Sequence, residues 1–101
     1  MIPREYLRRK VLWNAEVRRG KGRPMKCQVL DIAAGGAKIR TDARFSVGST
    51  VELIVGQRGA VFPSKVLWQR ENHAGICFLE DPWTVQARLE EAMPAKLEPT
   101  A

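Results

Sequence analysis

The residues best suited to chemistry lie near the start of the chain. Arg4 and Arg8 stand four apart in the segment Arg4-Glu-Tyr-Leu-Arg8, and Arg9 and Lys10 follow at once. A guanidinium presents a planar fork of donors that matches phosphate oxygens two at a time, and the same fork can meet O6 and N7 of guanine. It also stacks on the face of a base. An arm carrying two such groups could clamp a ligand that bears phosphate and guanine together; the same residues also read as a solvated basic tail. A second group, Asp31-Ile-Ala-Ala-Gly35-Gly36, joins two strand-like runs. Here the aspartate is expected to bond its local backbone and glycine to supply a left-handed turn conformation. The carboxylate could in addition accept from the N–H groups on a guanine edge, beside main chain laid open by glycine.

Catalytic chemistry finds little support. His73 is the single histidine and sits beside a turn, where a solvated role is expected. Nucleophilic catalysis needs a base within hydrogen-bond reach of a Ser, Thr or Cys, and no such pairing is suggested. Asp81 has a helix-capping role, and Glu90 and Glu91 fall on the polar side of that helix. Two cysteines and one histidine lack the paired spacing of a zinc site. The expectation is a protein that is not an enzyme and needs no cofactor or metal. Cys27 and Cys77 lie in apolar runs and read as reduced core residues of a cytoplasmic protein.

The charge distribution sharpens this. The 101 residues carry a formal charge of +6, with 45% hydrophobic and 28% charged residues, an ordinary globular composition that fits one domain. Residues 1–26 hold nine bases and two acids, a net of +7, whereas residues 27–101 sum to −1. A concentrated excess implies an anionic partner met by an N-terminal arm. No run approaches the roughly 20 apolar residues of a membrane span, and the N-terminus lacks the apolar stretch of a signal peptide.

The elements that must position these residues are mostly strands. After an arm over 1–10, apolar residues alternate at period two from Val11 to Val17, with Trp13 on the core phase. Gly and Pro at 20–24 close that strand, and Met25 to Val29 resumes it as far as Asp31. Further strands are expected at 37–40, 51–55, 61–68 and 75–79. Trp68 shares the phase of Val66, which favours a core role over stacking on a guanine. Asp81, Pro82 and the apolar spacing of Val85, Leu89, Ala92 and Met93 predict a capped helix over 82–93, with 94–101 a tail. Six short antiparallel strands and one helix predict an all-β small barrel with the helix over one end, in a domain spanning 11–93.

Arg4-x-x-x-Arg8, a first strand, and then Asp31-x-Ala33-x-x-Gly36 resemble the PilZ domain family, whose signature is Arg-x-x-x-Arg followed by Asp/Asn-x-Ser/Ala-x-x-Gly. Lys65-Val-Leu-Trp68 and Gly75-Ile-Cys-Phe78 are similar to the paired late strands of these domains, and the likeness covers residues 4–92. The resemblance implies a stand-alone bacterial receptor for cyclic di-GMP, a dianion with two guanines. It implies that Arg4 and Arg8 hold phosphate and guanine, with Arg9 as an auxiliary contact. Asp31 would bond a guanine edge, Gly36 would be the turn glycine, and Ala33 would stand where serine is usual. The signal would pass to a downstream protein, through a surface that includes the helix and the ordered arm. Two other readings compete: a PilZ-like module that docks on a protein without ligand, and a small barrel binding single-stranded nucleic acid. The second is disfavoured, because the bases concentrate in the arm and first hairpin instead of spreading over the barrel.

Overall fold

A computed structural model describes residues 9–56 and 59–92. Strands β1 (Arg9–Arg19), β2 (Met25–Ala33), β3 (Gly36–Arg40), β4 (Thr50–Val55), β5 (Ala60–Arg70) and β6 (His73–Phe78) precede one helix, α1 (Pro82–Ala92). Every strand pair is antiparallel. The order β1-β2-β3-β6-β5-β4 closes on itself, because β4 also pairs with β1. Closure leaves no row of unpaired backbone groups at a sheet edge. The expected six-stranded barrel with one helix is therefore the observed architecture. Its first strand starts two residues earlier than expected, at Arg9, and β2 runs on to Ala33.

The period-two pattern fills the interior. Val17, Val29, Ile39, Leu53, Phe62 and Val66 are fully buried, and each such side chain contributes about 1.5–3 kcal/mol relative to exposure. Cys27 is buried among them and unpaired with Cys77. Burial, and secondarily the charge of Glu16, pushes its thiol pKa up to about 12, so it stays protonated, as an inert core residue should.

Helix α1 closes one end of the barrel through Val85 and Leu89. Its start is set by Asp81, whose Oδ1 accepts from the Thr84 N–H at 2.9 Å while Oδ2 accepts from the Thr84 hydroxyl at 2.8 Å. Those bonds, the backbone one first, hold the Asp81 carboxyl below its ordinary range, so the cap keeps its charge at neutral pH. Arg88 ties the helix to the sheet: it donates to the Val61 carbonyl, pairs with Glu80, and lies 4.9 Å from the centre of the Phe62 ring.

The ladders are not regular throughout. On β2, Val29 pairs with Ile39 and Asp31 pairs with Lys38, so Leu30 is an extra residue. On β5, Val66 pairs with Ile76 and Trp68 pairs with Gly75, so Leu67 is an extra residue. Each bulge inverts the alternation that follows it. The inversion overturns the expected core role of Trp68: Val66 is buried, but Trp68 is 41% exposed, whereas Trp13 is buried as expected at 5%. We predict that Trp13→Ala costs about 3–5 kcal/mol of unfolding free energy and Trp68→Ala about 1 kcal/mol or less. Urea denaturation distinguishes them, and equal losses would place the Trp68 indole in the core after all.

Candidate functional site

The two bulges bring the interesting residues onto one outward row. Paired residues of adjacent strands point to the same face of a sheet. Lys10 on β1 pairs with Asp31 on β2, Asp31 with Lys38 on β3, Lys38 with Gly75 on β6, and Gly75 with Trp68 on β5. The neighbours Ile32, Ile39, Ala74 and Ile76 are buried, so this row faces out of the barrel. Had β2 kept strict alternation, Asp31 would have followed Val29 into the apolar interior, where a carboxylate is costly. Leu30 prevents that.

Trp68 ends the row lying on the backbone of Gly75. A β-carbon at residue 75 would fall 2.1 Å from the indole Nε1 and 2.5 Å from Cε2. Only glycine leaves room for the ring to rest there, and the ring keeps part of its surface in solvent.

The turn between β2 and β3 is tighter than expected, and its glycines serve a different purpose. Ala33 pairs with Gly36, leaving Ala34 and Gly35 as the two connecting residues. Neither Gly35 nor Gly36 has a left-handed φ; those belong to Gly20, Gly48, Gly56 and Gly59. Gly36 is needed for close approach: a β-carbon there would sit 2.3 Å from the Ile76 carbonyl oxygen of β6 and 3.1 Å from the Cys77 Cα. Ala33 is half-buried at the end of β2, and the row it shares with Gly36 continues to Cys77 and Lys65. Cys77 is half-buried, more accessible than a core residue would be.

Of the sequence-derived site residues, Asp31, Ala33 and Gly36 stand together at one end of β2 and β3. Arg4 and Arg8 lie outside the described residues. The backbone of Arg9 opens β1 opposite Ile32, next to Asp31. Sequence reasoning missed Lys38 and misplaced Trp68. The sole signal for either lies in the cross-strand register, since both sit in ordinary-looking strand segments.

A shallow groove of about 430 Å³ lies further along the outer face, lined among others by Asn14, Lys26, Gln28, Arg40, Asp42 and Asn72. It contains none of the motif residues.

A closed antiparallel six-stranded barrel, one short helix and a close-packed Gly36 at the β2–β3 turn define the class of the domain. The chain belongs to the PilZ domain family: residues 3–93 match the family's sequence model. Members of this family are generally cyclic di-GMP receptors, binding domains and not known catalysts. Among solved structures, the fold is similar to the crystal structure of the PilZ domain of CeSA from a cellulose-synthesizing bacterium. The TM-score is 0.69 at 16% identity, over 84% of this chain and 96% of that one. A search of curated protein sequences finds no significant match. Among the described residues no helix is long and apolar enough to cross a membrane.

The two turn glycines make a direct comparison. Gly36→Ala is expected to lose about 1–3 kcal/mol or more through the clash with Ile76. Gly35→Ala, with nothing within 4 Å of its added carbon, should stay within about 0.5 kcal/mol of wild type. Thermal or urea unfolding of both variants checks this; an unchanged Gly36→Ala would refute the close-approach role.

Proposed function

We propose that this chain is a bacterial cyclic di-GMP receptor whose ligand lies on the outward row of β2, β3, β6 and β5 and is covered by the N-terminal arm. The observation that carries this reading is the register that aligns Asp31 with Lys38, Gly75 and Trp68. Each group suits one part of the ligand. The Asp31 carboxylate accepts from the N–H edge of a guanine. The partly exposed Trp68 indole offers a flat apolar face on which a base stacks, an interaction worth about 1–3 kcal/mol in single-stranded nucleic-acid complexes. Arg4 and Arg8, with Arg9 as an auxiliary contact, supply forked donors to the two phosphates and to guanine O6 and N7.

Gly36 keeps the turn close to β6, so the ligand meets backbone there. Ala33 offers no hydroxyl, and losing one neutral hydrogen bond weakens binding by about 0.5–1.5 kcal/mol without abolishing it. The charge balance fits this assignment. A segment of net +7 repels itself when free, and a dianion relieves that repulsion, so binding orders the arm over the barrel. The signal is then a changed surface, made of the ordered arm and α1, offered to a downstream protein.

Isothermal titration calorimetry with cyclic di-GMP tests the reading, with GTP and cyclic di-AMP as controls. Wild type should bind cyclic di-GMP selectively. Arg8→Ala removes charge-assisted bonds worth roughly 1.5–3 kcal/mol and should weaken binding about 10- to 150-fold. Equal affinity of wild type and variant contradicts the arm's role. No heat with wild type at any concentration contradicts the receptor assignment.

A further inference from the structure

Among the described cations, five arginines of the barrel have partners, and Lys10, Lys21, Arg23, Lys26, Lys65 and Arg70, which have none, are exposed to solvent. Arg18 pairs with Glu52, Arg88 with Glu80, and Arg40 donates twice to Gln28 Oε1, at 2.7 and 3.3 Å. Arg19 and Arg44 are held by backbone carbonyls. Lys38 differs: it is half-buried, yet it makes no ion pair or side-chain hydrogen bond with any described residue. The Asp31 carboxylate stands across the ladder from it, but an ammonium that has given up part of its hydration and donates to no described residue still has donors for another acceptor.

Its position indicates what that is. Lys38 lies midway between Asp31 and Gly75, the backbone on which Trp68 rests. Adjacent strands are about 4.8 Å apart, so the span from Asp31 to the indole platform is roughly 10 Å with Lys38 at its centre. Resting on the cyclic di-GMP reading, we infer that Lys38 donates to a phosphate oxygen of the ligand. A ligand with one guanine edge at Asp31 and the other base on Trp68 must carry its ribose–phosphate ring over β3. The barrel wall then supplies a phosphate contact of its own, on the face opposite the arm. The ligand is gripped from both sides, and a neutral guanine compound gains nothing from this contact. Lys10 is exposed at the end of the row beyond Asp31, away from that path.

The test compares wild type, Lys38→Ala, Lys38→Gln, Lys38→Arg and Arg8→Ala by calorimetry with cyclic di-GMP at low and high NaCl, after matching their unfolding curves. Lys38→Ala and Lys38→Gln should each weaken binding about tenfold or more, while Lys38→Arg, which keeps the charge, stays within about threefold of wild type. Affinity should also fall less with added salt in Lys38→Ala than in wild type, since one charge contact is gone. If Arg8→Ala weakens binding but Lys38→Ala does not, Lys38 makes no contact and this inference is wrong while the receptor reading stands. An unchanged salt dependence in a weakened Lys38→Ala overturns the phosphate contact, leaving Lys38 only a positioning role. Failure of wild type to bind overturns both readings.

Discussion

The site depends on where two extra residues enter the β ladders. A strand in a filled barrel has one face committed to the core, and its alternation decides which side chains go there. In β2 the commitment is made by Cys27 and Val29, and without Leu30 it would carry Asp31 inward as well. In β5 it is made by Phe62, Ser64 and Val66, and without Leu67 it would carry Trp68 inward. A carboxylate cannot be accommodated cheaply in an interior built of Val, Ile, Leu and Phe, so the first bulge is a condition for folding. The second is different, because an indole could be buried at a gain. Its exposure is a sacrifice of core area, tolerated beside a glycine that lets the ring lie flat on the backbone.

On the receptor reading proposed above, this row has to be selective without a deep pocket. The described residues of the row form no deep cavity, and the one groove noted on the outer face lies elsewhere, among Asn14, Arg40 and Asn72. Selectivity then has to come from the order of chemical groups across the strands: carboxylate, ammonium, aromatic face. Such an order is rigid, because each member is fixed by ladder bonds and by its neighbours' burial. On the receptor reading proposed above, the arginines of the N-terminal segment add what a rigid wall cannot, charges brought to the ligand from outside the barrel. On the same reading, a preformed floor limits the ordering cost of binding.

Much of the fold was legible in the sequence because burial imposes periods. Alternation located all six strands, the change of period after Glu80 located the helix, and Asp81 followed by Pro82 marked its start. Trp13 was placed correctly because β1 keeps its phase there. Trp68 was not, because a bulge is a relation between two strands and leaves no mark in either one alone. Gly36 was assigned a turn conformation when its real constraint is the Ile76 carbonyl, forty residues downstream. Lys38 was invisible for the same reason: nothing in Gly-Ala-Lys-Ile-Arg announces that its neighbours across the sheet are Asp31 and Gly75. The motif residues could be found along the chain, whereas the row that aligns Asp31 with Lys38, Gly75 and Trp68 exists only across it.

The most direct test of this account is an NMR titration of isotopically labelled protein with cyclic di-GMP, following backbone amides and the tryptophan indole N–H groups. The account predicts that the largest shifts fall on Asp31, Lys38, Gly75 and the Trp68 indole, with the buried Trp13 indole nearly unmoved. Shifts centred on Asn14, Arg40 and Asn72, with the Trp68 indole unaffected, would contradict it.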